Sequence, residues 1–257
     1  MAHFDAALKE NKPAFGIDDD NLSLCIRGGV LEYGEAFNEL YRVGLNFINE
    51  IQNTKTTPLL SILLEGKNGS GKTALAAKLA LESHFPYVKM ISPEKFVGYS
   101  EIGKISQIVK IFEDAYKSPL SLIILDDLER LIEFIHIGPR FSNPILQALL
   151  VLIKKKPQSV DRKLMIIGTT SMKSVLQEME LVDCFNVCQH VPSVRLKQEI
   201  TSVFSHYKAS SEEIRKIAQQ LTTGEDGGDA GTIRGGGIPI KNLILSIELA
   251  IQNSSKG

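Results

Sequence analysis

Gly66-Lys67-Asn68-Gly69-Ser70-Gly71-Lys72-Thr73 is flanked by two segments of opposite character. Before it runs Leu59-Leu60-Ser61-Ile62-Leu63-Leu64, an apolar stretch of buried-strand length; after it, Ala74-Leu75-Ala76-Ala77-Lys78-Leu79-Ala80 is built from strong helix formers. The octapeptide satisfies G-x-x-x-x-G-K-[ST], and strand, glycine loop and helix follow in the order that this pattern needs. Glycines let backbone N–H groups turn inward around phosphate oxygens, where side chains would clash. Lys72 adds a point charge, Thr73 offers a hydroxyl to Mg²⁺, and the helix starting there aims its positive dipole end at the phosphates. The sequence therefore predicts a phosphate cradle formed by all eight residues, Gly66 to Thr73, suited to a nucleoside triphosphate. The bland alternative is an ordinary glycine turn.

Strand-like and helix-like segments go on alternating beyond the cradle. Tyr87-Val88-Lys89-Met90-Ile91 reads as a strand, then a helix carries Ile102, Ile105, Val109, Phe112 and Tyr116 on one face, then comes Leu122-Ile123-Ile124-Leu125. A helix with Ile145, Leu146, Leu149, Leu150 and Ile153 leads to Leu164-Met165-Ile166-Ile167, and a weaker strand is read at Asn186-Val187-Cys188-Gln189-His190-Val191. Five strands alternating with helices predict an α/β fold, a parallel sheet covered on both faces. After Pro192 the pattern is helical only. Ser210-x-x-Glu213 is a capping box ahead of Ile214, Ile217 and Leu221, and a last helix carries Ile240, Leu243, Ile244, Ile247 and Ile251. The expected division is a nucleotide-binding subdomain over residues 1–192 and a small helical lid over 193–257. Within the lid, the glycine-rich stretch 224–237 reads as a flexible loop.

Composition narrows the partners. A chain of 257 residues with 43% hydrophobic content can bury a full core, and its net charge of -1, with no long basic run, argues against a nucleic-acid partner. No apolar run reaches the length of a membrane span, and Met1-Ala2-His3-Phe4-Asp5 has no signal-peptide character, so a soluble, cytosolic chain is expected. Cys25, Cys184 and Cys188 form no even framework; apolar neighbours predict buried free thiols rather than a metal cluster with His190.

A second signature is Leu122-Ile123-Ile124-Leu125-Asp126-Asp127-Leu128-Glu129-Arg130, where an apolar strand delivers Asp126 beside the phosphate loop to hold the hydration shell of Mg²⁺. Together with the loop and the helical C-terminal part, it resembles an AAA+ ATPase module. Asp114-Ala115-Tyr116-Lys117-Ser118, Ile137-Gly138-Pro139-Arg140-Phe141-Ser142-Asn143, Leu146-Gln147-Ala148-Leu149-Leu150-Val151-Leu152 and Ile167-Gly168-Thr169-Thr170-Ser171 are similar to the second AAA+ module of the vesicle-fusing ATPases, the N-ethylmaleimide-sensitive fusion family, which disassemble SNARE complexes. The resemblance covers nearly the whole chain apart from the glycine-rich stretch.

The resemblance implies Mg-ATP as ligand, a homohexameric ring, and SNAP adaptors and SNARE complexes as partners of a longer protein that reaches membranes through them. It places Tyr33 and Gly34 against the adenine. It gives Lys241 the sensor-2 position, from which a cation reaches the γ-phosphate, and turns Lys154 toward a neighbouring subunit's nucleotide. Three departures imply slow hydrolysis. Asp127 stands where an active AAA+ ATPase has a glutamate that orients water, and it is one methylene shorter; an error of about an ångström there can cost roughly a hundredfold. Ser171 replaces the sensor-1 asparagine and reaches less far. Leu176-Gln177-Glu178-Met179-Glu180-Leu181-Val182-Asp183 has no arginine finger, and Arg140 lies elsewhere. Nucleotide held but slowly spent would act as glue in a ring. An active ATPase that remodels polypeptide through its pore is the alternative, and a small-molecule kinase a more distant one. In the pore-loop region, Phe96 and Tyr99 are expected to pack around the start of the next helix, with Ser100 as its cap.

Overall fold

The computed structural model describes residues 18–27, 33–54, 56–138, 140–159, 161–206 and 237–254, together with Gly16 and Gly29. The expected capping box at Ser210 and Glu213, the helix carrying Ile214, Ile217 and Leu221, and residues 224–236 of the glycine-rich stretch lie outside the described residues.

The strands are β1 (Leu59–Glu65), β2 (Tyr87–Ile91), β3 (Leu120–Leu125), β4 (Lys163–Thr170) and β5 (Val187–His190), paired in parallel in the order β2-β3-β4-β1-β5. The central strands β3, β4 and β1 are apolar almost without interruption because both of their faces are covered. Alternate residues feed two cores. Ile62, Leu64, Ile124 and Ile167 face one cluster; Leu63, Ile123, Leu125 and Ile166 face the other.

The first cluster is closed by α1 (Asp19–Cys25), α2 (Glu35–Asn53) and α3 (Lys72–Glu82), with α8 (Lys197–His206) and α9 (Ile240–Ser254) adding Ile200, Phe204, Leu243 and Ile247. The second is closed by α4 (Glu101–Ala115) and α6 (Asn143–Lys154) through Ile108, Phe112, Ile145, Leu149 and Ile153. Two short helices, α5 (Leu128–Leu131) and α7 (Lys173–Glu178), begin just beyond the carboxyl ends of β3 and β4.

Several expectations need correction. In α4, Ile102 is 78% exposed while Ile108 carries the burial, and Tyr116 caps the helix rather than belonging to it. The helix starts at the carboxyl edge of the sheet, so its first turn stands above the apolar layer. Ser100 does cap α4 by accepting a hydrogen bond from Gly103 N. Phe96 is buried as expected, but Tyr99, edge-on to it at 6.0 Å, is half exposed. Of the thiols, Cys184 is buried, Cys25 partly so, and Cys188 is exposed because β5 is an edge strand with β1 on one side alone. Nor is the segment after Pro192 purely helical, since an antiparallel bridge joins Val194 to Ile238 and so ties the entrance of α8 to that of α9.

Gly168 sits mid-strand in β4, opposite Leu63 and Leu125. A Cβ there would lie 2.6 Å from Cζ of Phe185 and 3.1 Å from Cδ1 of Leu128. Both neighbours are buried, so Gly168→Ala is expected to cost about 1–3 kcal/mol by overpacking, read from the urea midpoint. A variant as stable as the parent would show that the Phe185 ring moves freely.

Candidate functional site

The carboxyl edge of the sheet gathers three loops: the glycine loop after β1, the acidic turn after β3, and the end of β4. The glycine loop is locked locally. Gly71 caps α3 with φ of 91°, a left-handed conformation that suits glycine, and a Cβ on Gly66 would come within 2.6 Å of the carbonyl oxygen of Val191. Among the described residues, the Ser70 hydroxyl is buried in this loop without a hydrogen-bond partner.

Lys72 is 5% exposed, and its Nζ donates to the carbonyl oxygens of Gly66 and Lys67 at 2.9 Å and to Oγ of Ser171 at 3.1 Å. All three ammonium protons are thus directed at oxygens. Burial lowers its pKa, while Glu129, Asp127, Asp126 and Glu65 oppose that shift.

Thr73 Oγ1 donates to Asp126 Oδ1 at 2.7 Å, and Thr169 Oγ1 donates to the same oxygen at 2.8 Å. Burial raises the pKa of Asp126 against those two hydrogen bonds. Asp127 N donates to Thr169 Oγ1 at 2.9 Å, and Asp127 itself is left-handed, with φ of 48°. Burial raises its pKa, and the charges of Asp126 and Glu129 raise it further.

Glu129, which the sequence reading leaves unassigned, proves central. Only 5% exposed, it accepts from Thr170 Oγ1 at 2.8 Å and from Ser171 N at 3.0 Å. Held in this way, Ser171 donates to Asn68 Oδ1 at 2.6 Å as well as accepting from Lys72. The short serine side chain therefore does reach the glycine loop, because the backbone at the end of β4 is drawn close to it. The one sequence signal for Glu129 is its spacing, three residues after Asp126 and on the first turn of α5.

Over this cluster lies a cavity of about 530 Å³. Residues 68–74 and Asp127 line it together with Cys25, Gly29, Tyr33 and Phe37, and the lid helix α9 contributes Ile240, Lys241, Ile244 and Glu248. Tyr33 donates from its hydroxyl to the Pro192 carbonyl at 2.7 Å, and its ring lies 4.7 Å from that of Phe37. Burial, then the charge of Glu199, raises the pKa of Tyr33. Gly34 faces elsewhere: a Cβ on it would lie 2.8 Å from Oε1 of Glu199, whose carboxylate accepts from the N–H groups of Arg195 and Leu196. Lys241 N donates to the Gly69 carbonyl at 3.0 Å, which docks α9 onto the glycine loop. Gly66, Lys67 and Asp126 stand behind the lining, and Lys154 ends α6, exposed and away from the cavity.

A family model, the ATPase family associated with various cellular activities (AAA), matches residues 62–193, just over half of the chain. The chain belongs to the AAA family. The five-stranded parallel sheet flanked by helices is the fold expected of it. Among similar proteins, the vesicle-fusing ATPase of Arabidopsis thaliana is 42% identical over 100% of this chain and 33% of its own length. Vesicular-fusion protein SEC18 of Saccharomyces cerevisiae is 44% identical over 77% of the chain and 26% of its own length. The vesicle-fusing ATPase of Caenorhabditis elegans is 36% identical over 97% of the chain and 30% of its own. The resemblance to vesicle-fusing ATPases read from the sequence is thus shared along most of this AAA chain, which spans about a third of the relatives it matches.

Asp127→Asn tests the charge balance. The raised values of Asp126 and Asp127 mean that protonation favours the folded state: that contribution is complete below the ordinary value of 3.8 and lost as pH rises through the folded-state values. At neutral pH Asp126 and Glu129 therefore repel Asp127, and asparagine both removes a charge and tolerates positive φ. We expect Asp127→Asn to gain about 1 kcal/mol, a rise of roughly 2–4 °C in Tm, and the gain to shrink as pH is lowered toward the carboxylate range. A variant that melts lower at neutral pH would contradict this.

Proposed function

We propose that the chain is the second AAA+ module of a vesicle-fusing ATPase, which binds Mg-ATP and, through it, holds a homohexameric ring together with slow turnover. In this reading residues 1–192 bind nucleotide and 193–257 form the lid.

The observation that carries it is the joined cluster of Lys72, Thr73, Asp126, Asn68 and Ser171 beneath a cavity of ligand size. Phosphates would lie against residues 66–73, with Lys241 approaching from the lid. The Thr73 hydroxyl and Asp126 carboxylate, 2.7 Å apart, form a hard oxygen pair that fits Mg²⁺. Among the described residues no group of three His, Cys, Asp or Glu could hold a metal unaided. Phosphate oxygens and water must then complete the coordination, as is usual for Mg²⁺. The bound ion would neutralise phosphate charge. The backbone of Tyr33 and Gly34 would lie against the adenine, with Gly34, in extended conformation, also capping α2. Lys154, exposed at the end of α6, is available to a neighbouring subunit.

Slow turnover rests on Asp127, whose short carboxylate must stand in for a water-orienting glutamate, and on the missing arginine finger. One observation keeps the alternative of an active ATPase open: Asp127 does line the cavity. Beyond the chain itself, the names of its relatives support a role in vesicle fusion, with SNAP adaptors and SNARE complexes engaged by the longer protein. No described helix is long and apolar enough to cross a membrane, which fits a cytosolic module brought to membranes by partners.

Light-scattering mass and phosphate release, each with and without Mg-ATP, test the proposal. Assembly to a hexamer with negligible release is the expected result. Brisk release that is lost in Asp127→Ala would establish a motor instead, and absence of ATP-driven assembly would overturn the ring role.

A further inference from the structure

We infer that Glu248 recognises the ribose hydroxyls of the bound nucleotide, so that the site selects ribonucleoside over deoxyribonucleoside triphosphates. The inference rests on the Mg-ATP reading and adds a specificity-determining residue to it.

The lid helix is fixed relative to the phosphates at its first turn. Besides the bond from Lys241 N to the Gly69 carbonyl, a Cβ built on Gly69 would lie 3.2 Å from Cβ of Lys241, and one on Gly71 3.6 Å from Cγ2 of Ile240. Ile244 and Glu248 follow on the same helical face, and both line the cavity. Seven residues separate Lys241 from Glu248, about 10 Å along the axis. Helical side chains lean back toward the N-terminus, which brings the carboxylate nearer the phosphate end by part of a turn. Glu248 thus lies roughly a sugar's length along the lid from Lys241, on the face that lines the cavity.

An ionised carboxylate can only accept hydrogen bonds, and next to a polyanion it is repelled. In this cavity it can therefore favour a nucleotide only through donors on the ligand. The vicinal ribose hydroxyls are the first donors beyond the phosphates, and a carboxylate that accepts from the ribose 2′-hydroxyl is the contact that dinucleotide-binding folds use. Among the described residues, Glu248 has no hydrogen-bond or ion-pair partner of its own, and its side chain is exposed, so replacing it does not disturb the core.

Calorimetric titration with ATP, 2′-deoxy-ATP, 3′-deoxy-ATP and inosine triphosphate, on the unaltered chain and on Glu248→Ala, decides the matter. The unaltered chain should bind ATP about tenfold or more tighter than either deoxynucleotide, and Glu248→Ala should bind all three within about twofold. ATP binding without such discrimination, or discrimination that persists in Glu248→Ala, overturns the ribose role alone. Discrimination against inosine triphosphate that vanishes in Glu248→Ala assigns the carboxylate to the base amine and also overturns it. No nucleotide bound by the unaltered chain overturns the Mg-ATP reading itself.

Discussion

Lys72→Ala is expected to weaken ATP binding by at least about a hundredfold, the worth of several lost hydrogen bonds to a charged group. Among the described residues the side chain is the one buried cation beside Asp126, Asp127 and Glu129, and it is held 2.9 Å from the carbonyls of Gly66 and Lys67. Its removal strips positive charge from the place where phosphates would sit and leaves Arg130, 3.8 Å from Asp127, as the cation paired with these carboxylates, so the site repels its own ligand. If nucleotide bridges subunits, assembly fails by mass action at ATP concentrations that saturate the unaltered chain. Titration calorimetry reads the first effect and light scattering the second. Circular dichroism of the variant separates lost binding from lost folding. Tight ATP binding by a folded Lys72→Ala would place the nucleotide elsewhere.

Glu129→Ala should be the most destabilising single change at the site. The carboxylate is buried and satisfies both Thr170 Oγ1 and Ser171 N, and its loss leaves a hydroxyl and a backbone N–H without an acceptor in a closed space. About 2–6 kcal/mol of stability is at stake, the sum of two such penalties. Glu129→Gln retains one acceptor oxygen and the shape, and should cost less than half as much. Denaturant midpoints for the pair give the comparison. The second consequence is functional: once its N–H is released, Ser171 loses its register against Asn68 and Lys72, and ATP affinity should fall more in the alanine variant than in the glutamine one. A Glu129→Ala protein within about 0.5 kcal/mol of the parent, the range of an ordinary surface change, would mean that water takes the carboxylate's place.

The parts of this molecule that are legible in one dimension are those whose chemistry is local. The glycine loop is readable because turn, charge and helix start lie within eight residues, and Tyr87–Ile91 is readable because both of its faces demand apolar residues. Glu129 is not readable. In sequence it is one more acidic residue in an acidic turn, and its burial follows only from the strand end that folds over it. Cys25 and Glu248 meet at one cavity from opposite ends of the chain, a juxtaposition that spacing cannot encode. Ile102 satisfies the helical period yet faces water, because periodicity defines a face without saying how far the sheet extends beneath it. The reading likewise passes over α2, whose Phe37, Leu40, Ile48 and Ile51 form a stripe at helical spacing over the first core.

The backbone bond between Lys241 and Gly69 has a mechanical side. It fixes one end of a rod of fifteen residues, roughly 22 Å long. Pivoted there, a tilt of only about 10° would swing the far end by roughly 4 Å, a gain set by the length of the rod. A shift of about 0.2 Å in the glycine loop, acting about 5 Å from the helix axis, would tilt the rod by roughly 2° and move its far end by about 0.9 Å, a fourfold gain. Shortening α9 would weaken that amplification without touching any group that meets the nucleotide.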